Sequence, residues 1–347
     1  MEQYHKALVA EIRKFCAGRI SAQPISTIFF GGGTPSTYPD ELLLDMFGTL
    51  RELFVFEPNI EITLEVNPGT VRLPDQLHMW RSLGINRLSI GVQSLKDQVL
   101  KKLNRHQTAQ QVFSLIEHAS ELFENVSVDL ILGLPEITPA EWKELITQVV
   151  AWPIKHISLY FLTVHEDTPL YFKVKKKEVV ITDDAEMVDL YHWSRERLAH
   201  HGFVQYEMSN FARSGFACRH NQVYWQRLAY KGFGLGACSF DGECRFENDK
   251  RLLVYLEKAI AGQSVISYNE QLNRQQIILE HLMLGLRRAV GIDWAEFLPL
   301  LNQSERVKFQ ERVAVLKQEE LLREVDGKLM LTPQGLVLEN EIVVRLL

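Results

Sequence analysis

The sequence predicts an α/β fold laid out on a parallel sheet, and three observations predict it. Short apolar runs alternate with amphipathic helical stretches five times over at spacings of roughly 30 residues, the signature of right-handed βαβ units. The first run, Ile28 to Phe30, passes straight into Gly31-Gly32-Gly33-Thr34-Pro35, a strand end left as bare backbone. Polar residues then recur where successive strands end: Gly31 to Thr34, Glu65 and Asn67, Gln93, Asp129 and Thr163. That is the carboxyl edge at which barrel and doubly wound enzymes carry their sites, so the sheet is read as either open or rolled into a barrel.

Each element has its own reason. Residues 2–16 carry Leu8, Ile12 and Phe15 on one stripe with charges between them and Gly18 just beyond, which predicts an opening helix. After the glycine loop, Asp40 to Phe54 reads as a helix, and Ile60 to Val66 alternates as a strand stopped by Asn67-Pro68-Gly69. Helices over Asp75 to Leu83, Asp97 to Leu103, Ala109 to Phe123 and Pro139 to Val150 separate strands over Arg87 to Val92, Val126 to Leu132 and His156 to Leu162. A long helix, Thr182 to His201, leads to a short strand, Phe203 to Tyr206. Helices over Asp249 to Ala261 and Gln271 to Arg288 precede a turn at Gly291 to Trp294 into a further helix. Leu321 to Thr332 then forms a hairpin turning at Asp326-Gly327, with a helix from Pro333. Helices that close with such a ribbon indicate a winged-helix module. The segment is not basic, so packing or interaction is expected of it and DNA binding is not.

Composition narrows the function classes. At 347 residues and 46% apolar content the chain can fill one large core and a small second one. A net charge of -6 gathers no nucleic acid, and Lys175-Lys176-Lys177 reads as a solvated loop. Cys16, Cys218, Cys238 and Cys244 have no dense pattern and follow no signal peptide, so disulfides are not expected and a reducing cytoplasm fits. No apolar run reaches the roughly 18 residues of a membrane span.

Three places carry chemistry. Consecutive glycines allow main-chain amides to approach a ligand closely, and Thr34 adds a hydroxyl; the spacing matches neither the dinucleotide fingerprint nor the P-loop. Glu65 and Asp129 are acids inside apolar runs, where an unpaired carboxylate is costly, so each needs a partner; Arg105 is a candidate counter-charge. The densest aromatic and polar stretch, Cys218-Arg219-His220-Asn221-Gln222-Val223-Tyr224-Trp225, reads as a loop in which His220 can ligate a metal or haem iron and the neighbouring rings can stack on a large planar group. Cys218 and His220 alone are too sparse for a zinc site.

Taken in order, Gly31-Gly32-Gly33-Thr34-Pro35, Glu65-Val66-Asn67-Pro68, Gly91-Val92-Gln93-Ser94, Asp129 to Pro135 and His220-Asn221-x-x-Tyr224-Trp225 resemble the radical SAM family of oxygen-independent coproporphyrinogen oxidase, and within it the haem-chaperone branch. The resemblance runs the length of the chain. It implies a partial parallel (βα)6-type barrel lacking its first strand, over residues 1–265, with a small C-terminal winged-helix-like domain over 266–347. It further implies that Gly32, Gly33 and Thr34 hold the methionyl end of S-adenosylmethionine. Glu65, Gln93, Arg105 and Asp129 match the family's other contacts to that ligand, while Thr163 and Cys238 fall where the adenosine pocket is lined. His220, Asn221, Tyr224 and Trp225 match the motif associated with haem.

One departure is large. The family binds a [4Fe-4S] cluster through C-x3-C-x2-C after a first strand, and no such triplet occurs here. The expectation is that the sequence starts at an internal methionine of a longer reading frame, so that the cluster belongs to the full-length form; a natural relative without a cluster is the alternative. Three functions stand. The first is a haem chaperone that binds haem and passes it to an acceptor protein, with a membrane-associated acceptor allowed. The second is a coproporphyrinogen III oxidase, a radical oxidoreductase of porphyrin synthesis. The third is a barrel with neither cofactor, in which the glycine loop is only a turn.

Overall fold

The computed structural model describes residues 1–17, 24–166 and 168–347. Gly18, expected just past the first helix, lies outside the described residues; that helix spans Glu2–Cys16. The predicted strands form where the apolar runs lie: β1 Ile25–Phe30, β2 Phe56–Val66, β3 Arg87–Gln93, β4 Asn125–Leu132 and β5 His156–Phe161. The intervening helices include Asp40–Leu53, Asp75–Ser82, Ala109–Leu122 and Pro139–Val149. Thr108 and Thr138 start the last two with reciprocal capping boxes to Gln111 and Glu141, which satisfy amides that the first helical turn leaves unpaired.

β1 to β5 lie side by side in chain order, and β2 to β5 pair in parallel. The expected strand over 203–206 shrinks to β6, Val204–Gln205, and an unforeseen strand, β7 Asn210–Ala212, inserts between it and β5. β7 pairs antiparallel with β5, and β6 antiparallel with β7, at the sheet edge, where pairing tolerates strands too short to show a periodic pattern. The fold is thus α/β with a mostly parallel sheet.

By contact density the chain divides into two compact units, each discontinuous in sequence: residues 29–37 with 62–217, and residues 1–28, 38–61 and 218–347. In the first, the parallel strands alternate strictly. Leu64, Leu88, Ile90, Val126, Val128, Ile157 and Leu159 are fully buried, as are Leu77, Trp80, Val112 and Trp142 of the helices. The opposite face is mostly polar. Glu65, Ser89, Ser127 and His156 lie in register across β2 to β5, and Asp129, Ser158 and Asn210 make the next row. Parallel strands covered by helices on both faces are apolar on both, so a mostly polar face sets this sheet apart from that arrangement.

The second unit contains a three-stranded antiparallel sheet, ordered β10-β9-β8, from β8 Cys238–Phe240, β9 Cys244–Asn248 and β10 Ile266–Gln271. It was not legible in the sequence because the side chains of β10 are mostly exposed and carry no apolar face. The aromatic stretch expected as a loop is a helix, Arg219–Trp225. The C-terminal expectation of helices closing on a ribbon appears as β11 Ile292–Asp293, β12 Leu322–Val325 and β13 Lys328–Leu331, ordered β11-β13-β12 over a core that includes Leu282, Phe297, Phe309, Leu316 and Ile342.

Two buried carboxylates organise this unit. Glu280 binds Arg227 Nε and Arg245 Nε, each at 2.8 Å. Glu11 accepts from the Gly234 amide at 2.9 Å, from Asn248 Nδ2 at 2.8 Å and from the Tyr255 hydroxyl at 2.8 Å. An apolar replacement strands three donors, two of them on the Gly232 to Gly236 loop and β9. Glu11→Ala is therefore expected to lower stability by roughly 2–4 kcal/mol, while Glu11→Gln, which keeps an acceptor, loses less. Thermal unfolding of the two variants beside the wild type checks this, and equal melting temperatures contradict it.

Candidate functional site

In the first unit the glycine loop leaves β1 with φ of +78° at Gly32 and +65° at Gly33, the left-handed region that side chains disfavour. A Cβ on either would meet nothing within 4 Å, so this backbone faces open space. At Gly31 the case is reversed: a Cβ would fall 2.7 Å from the Phe29 ring and 3.1 Å from the Glu65 carboxyl carbon. The Gly32 amide donates to Glu65 Oε2 at 3.1 Å, which ties the loop to the end of β2. Ser36 secures its far end, accepting from the Asn67 amide at 3.1 Å and bonding the Thr70 hydroxyl at 2.8 Å. The Thr34 carbonyl accepts from the Thr37 hydroxyl and amide, closing the turn.

Gln93 ends β3 at φ +64°, a strained conformation for a side-chain-bearing residue, and is buried with its Oε1 unpartnered. A Cβ at Gly91 would meet Gln93 Nε2 at 3.1 Å and Arg105 Nη1 at 3.7 Å, so both side chains converge on that glycine. Gln107 fixes the same backbone, donating to the carbonyls of Gly91 and Val92 at 2.9 and 3.0 Å. Asp129, in register with Gly91, accepts from the Ser89 hydroxyl at 3.2 Å. Burial raises its carboxyl above the usual range, opposed by hydrogen bonding from Ser158 and by the charge of Arg87. Burial likewise raises Glu65, opposed by the Gly32 amide and reinforced by Asp129. The structure therefore gathers Gly32, Gly33, Glu65, Gln93, Arg105 and Asp129 at one end of the sheet. Thr163 is exposed just after β5.

Sequence reasoning missed two buried polar residues on the same face of the sheet. Arg87 is 2% exposed, and His156 is fully buried between the Ser127 hydroxyl at 2.7 Å and the Tyr206 hydroxyl at 2.8 Å. Burial, with Arg87 adding to it, keeps His156 neutral by lowering its pKa well below the usual value. The signal was available as strict alternation in Arg87-Leu88-Ser89-Ile90 and Val126-Ser127-Val128-Asp129, where parallel strands ordinarily read as continuous apolar runs.

The second unit carries the other candidate. The carboxylate of Glu61 on β2 accepts from the Arg219 and His220 amides, each at 3.0 Å, and from the Cys218 thiol at 3.4 Å. Arg219 returns to β2 through the Asn59 carbonyl at 2.7 Å and Glu57 at 2.9 Å. The short helix is thus clamped at its first turn. His220 Nδ1 lies 2.9 Å from the Thr27 hydroxyl of β1, and Nε2 lies 2.8 Å from the Tyr224 hydroxyl one turn on. The Tyr224 ring stands edge-on to His220 at 5.1 Å and to Tyr230 at 4.7 Å. Trp225 is partly buried, with the Arg287 guanidinium 5.7 Å over its ring and its Nε1 unpartnered. Asn221 sits between them on the helix, its amide 3.5 Å from Cys218 Sγ.

Cysteine placement does not suit an iron–sulfur cluster. All four are free, Cys218 is spent on Glu61, and Cys238 is exposed at the start of β8. Among the described residues no group of three or more His, Cys, Asp or Glu is arranged to hold a metal ion.

Comparison with known proteins agrees with these features. The Radical SAM superfamily model matches residues 5–149, and the HemN C-terminal domain model matches residues 272–338. The chain is 36% identical over 302 residues to the heme chaperone HemW of Synechocystis sp., covering 86% of this chain and 73% of that one. It is 30% identical to HemW of Bacillus subtilis, covering 99% and 90%. It is 33% identical to mitochondrial radical S-adenosyl methionine domain-containing protein 1 of Mus musculus, covering 95% and 75%. Among solved structures, coproporphyrinogen III oxidase (HemN) from Escherichia coli matches with a TM-score of 0.82 at 23% identity, covering 99% of this chain and 82% of that one, and this supports the fold. By sequence and fold together, the chain belongs to the HemW family of radical SAM proteins.

Proposed function

We propose that this chain is a haem chaperone: it binds haem at the helix Arg219–Trp225 and passes it to an acceptor protein. The observation that carries this reading is the setting of His220. Its ring is held by Thr27 on one nitrogen, and the helix beneath it is clamped by Glu61. An imidazole oriented by a hydrogen bond on one nitrogen is the arrangement that metal-ligating histidines use. Tyr224, 38% exposed, adds an aromatic surface beside it. Asn221 and Trp225 complete the motif, with Trp225 packed under Arg287 as support. HemW relatives from several bacteria are named heme chaperones, which supports the same reading. The likeness to HemN is below 25% identity and speaks for the fold alone. Four free cysteines suit a reducing compartment such as the cytoplasm, and no helix among the described residues is long and apolar enough to cross a membrane. Residues 266–347 are proposed as the winged-helix-like module that packs beneath or docks a partner.

S-adenosylmethionine fits the glycine loop. Gly32 and Gly33 present open backbone, and Glu65, Gln93, Arg105 and Asp129 offer acceptors and donors at the same strand ends. When bound, this ligand supplies a methionyl amine and carboxylate and an adenosine. Gly32, Gly33 and Thr34 would hold the methionyl end, while Thr163, exposed after β5 in the same unit, takes the adenosine side on the family pattern; Cys238 is exposed in the other unit. The residues present do not supply the donor set for a [4Fe-4S] cluster, so no radical step is derived.

Two tests follow from this reading. Gly32→Val adds a side chain at φ +78° in the open cradle, and Glu65→Ala removes a charged acceptor worth roughly 1.5–3 kcal/mol. Calorimetry should show both variants losing S-adenosylmethionine affinity, Glu65→Ala by about 10- to 100-fold; unchanged affinity in Gly32→Val contradicts the assignment. For haem, His220→Ala should abolish or shift the Soret band on titration while thermal stability falls by only roughly 1–2 kcal/mol, since the Tyr224 hydroxyl returns to water and Thr27 loses one part-buried hydrogen bond. Lost stability with an unaltered haem spectrum makes His220 a structural residue.

A further inference from the structure

Resting on that haem reading, the geometry points to a displaceable cover on the ligating nitrogen. We propose that the Tyr224 hydroxyl caps His220 Nε2 until haem iron displaces it, in the tautomer whose Nδ1–H donates to the Thr27 hydroxyl and whose lone pair stays on Nε2. An imidazole has two nitrogens, and both are engaged, at 2.9 Å by Thr27 and at 2.8 Å by Tyr224. Iron can enter only by taking the place of one partner.

The two partners are not equivalent. Thr27 sits on β1, an element of the sheet, and a hydroxyl left there without its nitrogen loses a part-buried hydrogen bond. Tyr224 is 38% exposed, so its hydroxyl can turn to water and lose little. The ring itself has a fixed neighbour. Tyr230, against which Tyr224 stands edge-on, is pinned to Phe240 by backbone bonds in both directions, at 2.8 and 2.9 Å. The backbone that carries His220 is itself fixed, because Glu61 holds its amide. The i, i+4 spacing of His220 and Tyr224 on one helical face makes this pairing local to the helix.

On ligation one bond forms, iron to Nε2, and one hydrogen bond breaks, Tyr224 O–H to Nε2. No proton or electron changes hands. The phenol is also the return path. A carrier must release what it binds, and a hydroxyl positioned to reclaim Nε2 favours release without a separate conformational change.

The test uses the full chain and ferric haem followed by absorbance. Tyr224→Phe keeps the ring against Tyr230 and removes only the cap, so haem should bind about three- to tenfold tighter, the size of one hydrogen bond lost from the haem-free form. Thr27→Val should bind on the order of tenfold or more weakly, and Thr27→Ser should restore it, as expected for a partner that orients a ligating imidazole. A haem-free readout accompanies these: carbethoxylation of His220 by diethyl pyrocarbonate, followed by peptide mass, should be faster in Tyr224→Phe than in wild type. If Tyr224→Phe binds equally or more weakly and its His220 reacts no faster, in a background where His220→Ala has lost binding, the cover is overturned and the haem reading stands. If His220→Ala binds haem as wild type does, the haem reading falls and the cover falls with it.

Discussion

Alternation along parallel strands is the constraint on which the structure depends. A strand with period-two side chains has two faces, and here one is given to Leu, Ile, Val and Phe while the other carries Glu65, Arg87, Ser89, Ser127, Asp129, His156, Ser158 and Asn210. The apolar face supplies the burial energy that holds the helices. The polar face would be costly if left unpaired, since each buried carboxylate loses its hydration. Serine hydroxyls, Arg87 and the Gly32 amide offset that cost for Asp129 and Glu65. Burial raises the carboxyl pKa of both groups all the same, which records how much of that cost remains.

A second constraint operates on one side chain. Glu61 gathers two amides and a thiol at the start of the helix Arg219–Trp225, and a short helix of seven residues has too few internal hydrogen bonds to hold its own direction. Its orientation is therefore set by β2, through Glu61 below and Arg219 reaching back to Asn59 and Glu57. On β2, Glu61 serves the helix and Glu65, four residues on, serves the glycine loop. The motif carrying His220 acquires a defined ring position because a strand carboxylate fixes the backbone and Thr27 fixes the imidazole.

Most of the fold was legible because apolar runs and glycine-rich strand ends are local features. The first five strands, the long helices and the closing hairpin all follow from periodicity and turn chemistry. What escaped has a common cause in long-range pairing. β7 is three residues, and β10 is mostly exposed, so neither has a pattern to read. The helix at Arg219–Trp225 was taken for a loop because its cap, Glu61, lies far away in sequence. Of the site, Gly32, Glu65, Gln93 and Asp129 were visible as polar residues in apolar surroundings. Thr27, Ser36, Glu61, Gln107 and His156 were not, since each acts by holding another residue and only tertiary contacts reveal that.

The proposed role of His220 as haem ligand rests on the clamped helix that carries it. Resonance Raman spectroscopy of the ferrous haem complex, prepared with unlabelled and with 15N-labelled histidine, tests it most directly. With His220 as ligand, an iron–imidazole stretching band is expected that shifts with the label and is absent from His220→Ala. A complex without that band, or a thiolate signature that survives in His220→Ala and disappears in Cys238→Ser, contradicts it.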